Sequence, residues 1–300
     1  RMAEQSAAGL VLLGKEDKIN AALLLESIQK TACQILVKPD ASLVPQMRTI
    51  ADELVQKVRL AASVQIPVLQ LHDIAPTAEI LAEESGFSST IETIRQRHKA
   101  QNAGKAPSHI IVIGASTGGA PAIEYILRRL PADFSGAVLI AQHMPPGFST
   151  TFTRRLNSIC DLPVEEATSG AKIEAGKVIV ATGEANLQVK TLMGSKTNLC
   201  VEFSYEDYSI YDRPSVDLLM QSTAQLYDAK AVGIILSGMG RDGSIGMRAI
   251  HEKGGYTLAQ NQDSSAIFGM AKSAIEEGVI NKVLPLTEIP RYLLHHIRQV

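Results

Sequence analysis

The chain predicts an α/β fold, a doubly wound and mostly parallel sheet with helices on both faces, preceded by a partial βαβ fragment. Three features carry that prediction. Short continuous apolar runs alternate with helical periodicity from residue 110 to the end of the chain, the pattern of strands buried on both faces and joined by crossover helices. The first of these runs, Ile110-Ile111-Val112-Ile113, ends in Gly114-Ala115-Ser116-Thr117-Gly118-Gly119, a strand-to-helix turn that sets a serine among glycines. A hydrophobic content of 45% in 300 residues is ample for a core of this kind.

Taken in order, residues 10–13 and 34–37 read as short buried strands with a helix over 15–30 between them, and Lys38-Pro39 closes the second. Residues 43–62 place Ile50, Leu54, Val58 and Ala61 at amphipathic spacing, so 1–62 form a first unit. Residues 63–107 read as a linker with helical pieces. Its basic cluster, Arg95-Gln96-Arg97-His98-Lys99, has no interleaved aromatics and reads as a solvated face rather than a nucleic-acid patch. The main domain then occupies 108–300, with strands at 110–113, 137–141, 178–181, 231–236 and 256–259. Helices are expected at 120–130, 148–160, 216–227, 245–252 and 271–277, and an antiparallel edge hairpin from Leu192 and Val201-Glu202-Phe203.

Composition excludes several classes. With 29 basic and 31 acidic residues there is no net field to draw the chain to nucleic acid or to an anionic membrane. Cys33, Cys160 and Cys200 are odd in number and far apart, with no CxxC or Cys/His cluster, so no metal site is expected and the thiols read as reduced. No run approaches the ~20 apolar residues of a membrane helix and the start lacks a signal-peptide core. The expectation is a soluble, cytoplasmic protein without membrane insertion.

In open parallel sheets ligands bind beyond the carboxyl ends of the strands. Ser116 follows the strand ending at residue 113, His143 the one ending at 141, and Asp242 the one ending at 236, so all three come to the same edge. A nucleophile, a base and an orienting carboxylate need that convergence. The serine turn is neither GxGxxG nor a lysine-bearing Walker loop, which weakens a phosphate-cradle reading. Of seven histidines only His143 directly follows a buried-type strand, and Pro145-Pro146-Gly147 stiffens its loop; His251, His295 and His296 fall on helix surfaces, and His72, His98 and His109 in or beside the linker. Asp242 is open to reading as a turn residue or helix cap, and Asp212, Asp217 and Asp263 compete with it. Gly238, Gly240 and Gly243 let backbone N–H groups face the site, as an oxyanion hole requires.

The run from residue 110 to about 297 closely resembles the catalytic domain of the bacterial chemotaxis protein-glutamate methylesterases, the CheB family. Its matching segments are Ile113-Gly114-Ala115-Ser116-Thr117-Gly118-Gly119, Gln142-His143-Met144-Pro145, Arg155-Leu156-Asn157, Arg213-Pro214-Ser215-Val216-Asp217, Ser237-Gly238-Met239-Gly240 with Asp242-Gly243, and Phe268-Gly269-Met270. The resemblance implies Ser116 as nucleophile, His143 as base and Asp242 as orienting carboxylate, with the backbone near Met239 and Gly240, and that of Thr117, at the oxyanion. It implies hydrolysis of glutamate γ-methyl esters on the cytoplasmic helices of methylated chemoreceptors, with receptor glutamine deamidation beside it, and no metal or organic cofactor. Departures from the family pattern are Thr182 and Asn186, where proline and histidine are usual, and Ala271 for a common proline. They are expected to flank the cleft and to bear on substrate fit more than on catalysis.

Residues 1–62 resemble the last third of a receiver domain. On that reading the phosphoacceptor aspartate would lie before Arg1, the chain being truncated or its regulatory unit decayed, so neither a phosphorylation switch nor a phosphodonor kinase is expected. Two rival functions stand beside the esterase: hydrolysis of an ester or amide on another signalling protein, and a non-catalytic receptor-docking module. Retention of all three triad groups argues against the second.

Overall fold

The computed structural model describes residues 104–192, 198–205 and 213–299, together with a strand pair at 10–14 and 33–37 and two helical positions, Val55 and Val58. Strand β1 (Leu10–Gly14) runs parallel to β2 (Cys33–Val37), in agreement with the strands expected there. The helix expected over 15–30 and most of the linker lie outside the described residues, as does Asp212.

Seven parallel strands make the main sheet: β3 (Ile110–Ala115), β4 (Ala137–Gln142), β5 (Val164–Glu166), β7 (Val178–Val180), β10 (Ala231–Ile235), β11 (Tyr256–Gln260) and β12 (Lys282–Leu284). Their order is β12-β11-β10-β3-β4-β7-β5, so the chain leaves β3 in one direction through β4 and later returns on its other side as β10. The two halves of the fold meet at β3, and a cleft at the carboxyl end of the central strands is the expected ligand position. Strands β6 (Ala171–Lys172), β8 (Asn186–Thr191) and β9 (Leu199–Ser204) form a separate antiparallel sheet of three. The expected edge hairpin is therefore real as a pairing but does not sit on the edge of the main sheet.

The apolar runs become strands because both faces of the sheet are covered. Along β3, Ile111, Ile113 and Ala115 enter one core while Ile110 and Val112 enter the other, and all five are 0% exposed. One layer carries α1 (Gly119–Leu127), α2 (Phe148–Ile159) and α6 (Ile289–Gln299). The opposite layer carries α3 (Val216–Tyr227), α4 (Ser244–Glu252) and α5 (Met270–Glu276). Ala271, expected at the cleft, is instead fully buried in α5 as part of this second core.

Two histidines lie close together. His109 immediately precedes β3, beside the expected linker, and is 2% exposed. His296 stacks on Tyr256 at 4.1 Å between ring centroids, and its ring lies 6.0 Å from that of His109. Burial, with the neighbouring charges of His296 and Lys230, holds the His109 imidazole below its ordinary value. A depressed histidine favours the fold in its neutral form, so its contribution is complete above about pH 6.5 and is lost as the pH falls below that. Thermal stability is expected to decline below pH 6.5, and His109→Gln to flatten that decline by up to about 1.4 kcal/mol per pH unit in melts run between pH 5 and 8.

Candidate active site

Strand β3 ends at Ala115 and β4 at Gln142, and these two residues are register partners. Ser116 and His143, each the next residue along, therefore leave the sheet side by side. The His143 N–H donates to the Ala115 carbonyl at 2.9 Å, and the Ser116 N–H donates to the Ser237 carbonyl beyond β10 at 3.0 Å. Gln142 then ties the two strand ends together: its Nε2 donates to the Ser116 carbonyl at 2.8 Å and to the His143 carbonyl at 3.1 Å. Gln142 is 5% exposed, so water does not replace these bonds when they are lost. If the loops carrying Ser116 and His143 hold the reacting groups, Gln142→Leu is expected to lower kcat by about 10²-fold with little change in KM, because those loops lose their common brace. Steady-state kinetics of a variant of unchanged circular dichroism check this.

Asp242 arrives from the loop between β10 and α4 and is buried at the start of α3. Its Oδ2 accepts from His143 Nε2 at 2.8 Å and from the Val216 N–H at 2.7 Å. Its Oδ1 accepts from the Asp217 N–H at 2.9 Å and from Ser215 Oγ at 3.3 Å. The first N–H groups of α3 are left without partners inside the helix, and a carboxylate there satisfies them and complements the helix dipole. Burial pushes the Asp242 carboxyl up, but the bond from His143, its charge and the Val216 and Asp217 amides outweigh burial, and the group is held below its ordinary value. An ionised aspartate on Nε2 fixes the imidazole tautomer with its proton on that nitrogen. The lone pair left to take a proton is on Nδ1.

The loop geometry depends on two glycines. Gly243 has φ +97°, a region costly for other residues, and it turns the chain from Asp242 into α4. At Gly238 a Cβ would lie 2.9 Å from the Ser116 Cβ, so only glycine lets the β10 loop lie against the serine.

Of the three residues expected at the oxyanion, Met239 and Gly240 lie in this same loop, half-buried and exposed respectively. Their N–H groups donate to no acceptor among the described residues. Thr117 follows the serine, and its carbonyl accepts from Ser237 Oγ at 2.7 Å. The amides of Ser116 and Gly238 are already committed, to Ser237 and Ile267.

The competing carboxylates separate clearly. Asp263 is exposed on a loop after β11. Asp217 is 9% exposed, and its Oδ1 accepts from the Gly246 N–H at 2.7 Å. Burial raises its carboxyl to about 6; the Gly246 amide opposes that and the charge of Asp242 adds to it. Asn186 corrects an expectation. It is 1% exposed, and its Oδ1 accepts from the Ser215 N–H at 2.8 Å. It thus supports the cap of α3 behind Asp242 rather than flanking the cleft. A position read only as a departure from the family pattern gave no sign of this partner, 29 residues away. Thr182, four residues before it, is half-buried.

Among the described residues, no group of three or more His, Cys, Asp or Glu side chains is arranged to hold a metal ion. No described helix is long and apolar enough to cross a membrane.

Comparison with known proteins agrees with this architecture. Residues 111–293 match the family model of the CheB methylesterase. A protein-glutamate methylesterase/protein-glutamine glutaminase of Archaeoglobus fulgidus is 36% identical over 296 residues, covering 98% of this chain and 78% of the relative. A relative of the same description from Geobacter metallireducens is 38% identical over 271 residues, 90% of this chain and 70% of its own. Among solved structures, the catalytic domain of the Thermotoga maritima CheB methylesterase superposes with a TM-score of 0.60 at 36% identity, covering 64% of this chain and 98% of that one.

Proposed function

The chain belongs to the CheB methylesterase family, and on that premise we propose that Ser116, His143 and Asp242 are the groups with which it hydrolyses glutamate γ-methyl esters on chemoreceptors. The observation that carries the assignment is the bond from His143 Nε2 to a buried, ionised Asp242 beside a serine on the adjacent strand end.

The geometry supports the following sequence. Ser116 Oγ attacks the ester carbonyl carbon as its proton passes to His143 Nδ1, and the imidazolium is held by Asp242. The carbonyl oxygen gains the negative charge and is received by the amides of Met239 and Gly240, with Thr117 alongside. The tetrahedral species collapses, the C–O bond to methoxide breaks, and the imidazolium returns its proton to release methanol. A glutamyl ester on Ser116 remains. Water, deprotonated by His143, attacks that ester, and its collapse frees the glutamate carboxylate and restores the serine. With a glutamine side chain the same steps release ammonia, which accounts for deamidation by the same groups.

We assign this chemistry to residues 108–300, a reading supported by the span of the family match. The test is methanol release from methylated receptor membranes, run beside ammonia release from receptors carrying glutamine and hydrolysis of a small methyl ester. Methanol from the receptor well above its spontaneous rate is expected. Turnover of the small ester with none from the receptor would move the substrate to another protein; turnover of neither would leave a docking module.

A further inference from the structure

We propose that Asp217 is a positioning residue for the reaction: its buried carboxyl group, anchored on the first turn of α4, holds and biases Asp242, so that the imidazole is oriented by a pair of carboxyl groups. The inference rests on the assignment of Asp242 to the triad.

The geometry is reciprocal. Asp242 lies two residues before Ser244, the first of α4, yet it accepts the Val216 and Asp217 N–H groups that open α3. Asp217, in the first turn of α3, accepts the Gly246 N–H that opens α4. Each aspartate caps the helix that carries or follows the other, and the Asp217 amide joins the two directly by donating to Asp242 Oδ1 at 2.9 Å. A shift of either helix start is thereby passed to the oxygen that holds His143 Nε2.

Capping alone does not call for a second carboxyl group here. An asparagine accepts the same amide bonds without charge. A buried carboxyl beside Asp242 instead resists ionisation, and with its value raised to about 6 its contribution to stability is complete at low pH and is lost as the pH rises through that value. At neutral pH the fold therefore carries a cost that asparagine would avoid. What the cost supplies is a second negative charge behind the imidazole, which raises its affinity for the serine proton. The surroundings leave that role to these groups. The buried face of α4 is Ser244, Gly246, Met247 and Ile250, and the buried residues of β8 are Asn186, Leu187 and Val189, none of them ionisable. The sheet strands beneath α3 are apolar. Asp242 is the charge that acts on Asp217, with His143 behind it. Of the nearby cations, Arg241 is turned outward to Glu277 at 3.7 Å, and Arg213 precedes the helix cap.

The experiment compares the full chain with Asp217→Asn and Asp242→Asn, reading methanol release from methylated receptor membranes between pH 5 and 9 together with melting temperature. For Asp217→Asn, kcat is expected to fall about 10-fold with KM within twofold. Its acid limb should lose one ionisation and move down by about 0.5 to 1 pH unit, while its melting temperature at pH 7.5 is unchanged or higher. A folded Asp217→Asn protein with the wild-type kcat and pH profile overturns the proposal and leaves the triad standing. Activity surviving in Asp242→Asn overturns the triad assignment itself. Should Asp217→Asn not fold, carboxyl and imidazole NMR titrations of the wild type decide. An aspartate carboxyl titrating near pH 6 in step with His143 ring signals supports the pair, and His143 signals indifferent to that step overturn it.

Discussion

Asp242→Ala is expected to lose activity and stability together, and the two losses have separable causes. The carboxylate accepts from His143 Nε2, Val216 N–H, Asp217 N–H and Ser215 Oγ at 2.7 to 3.3 Å. Alanine leaves the two α3 amides buried without acceptors, at about 1–3 kcal/mol each. It also removes the group that fixes the imidazole tautomer, an effect worth about 10⁴-fold in kcat. Asp242→Asn separates the terms. Its single amide oxygen can accept from only one of the two α3 amides, Val216 on the Oδ2 side or Asp217 on the Oδ1 side, so about half of that stability returns, but the charge is gone and activity stays about 10⁴-fold down. Chemical denaturation and methanol release on the same preparations read both. Because the Asp242 carboxyl is held below its ordinary value, its stabilising contribution is complete above about pH 4 and is lost as the pH falls through the folded value. The acid slope of stability should accordingly shrink in both variants.

Ser116→Ala is expected to lower kcat by at least about 10⁴-fold while leaving the fold intact. Ser116 is half-buried, its backbone bonds to Ser237 and Gln142 do not involve the hydroxyl, and Ala fits the space the Cβ already occupies beside Gly238. Melting within about 1 kcal/mol of wild type is therefore expected. Combining Ser116→Ala with His143→Ala should cost little more than either alone, since the two groups act in one step. Additive losses would assign them to different steps.

Much of this was legible in the sequence because a parallel sheet covered on both faces writes its strands as continuous apolar runs, and strand ends then locate the chemistry. Ser116, His143 and Asp242 came to one edge on that argument before any geometry was available, and α3 was bounded to the residue at both ends. Helix α6 was expected only as a surface carrying His295 and His296, without bounds, although Ile289, Leu293 and Ile297 have helical spacing. Pro290 and the adjacent His295-His296 mask the pattern, and proline is tolerated there only because it lies in the first turn. Strands β5 and β12 are three residues each, too short to show a period. The choice of Asp242 over Asp217 could not be made from spacing. Both lie at helix starts on the same side of the sheet, and only the crossing of the two helices shows which oxygen meets His143. Asn186 was read by its place near the cleft; its real partner is the Ser215 amide, a contact set by how β8 packs under α3.

The most direct measurement is covalent labelling of the folded full chain with a serine-directed phosphonate, followed by peptide mass mapping. A nucleophilic Ser116 predicts one adduct per chain, on the peptide spanning residues 109–128, blocked by unfolding and strongly slowed in His143→Ala. An adduct on a different serine, or none while methanol release from methylated receptors persists, would contradict it.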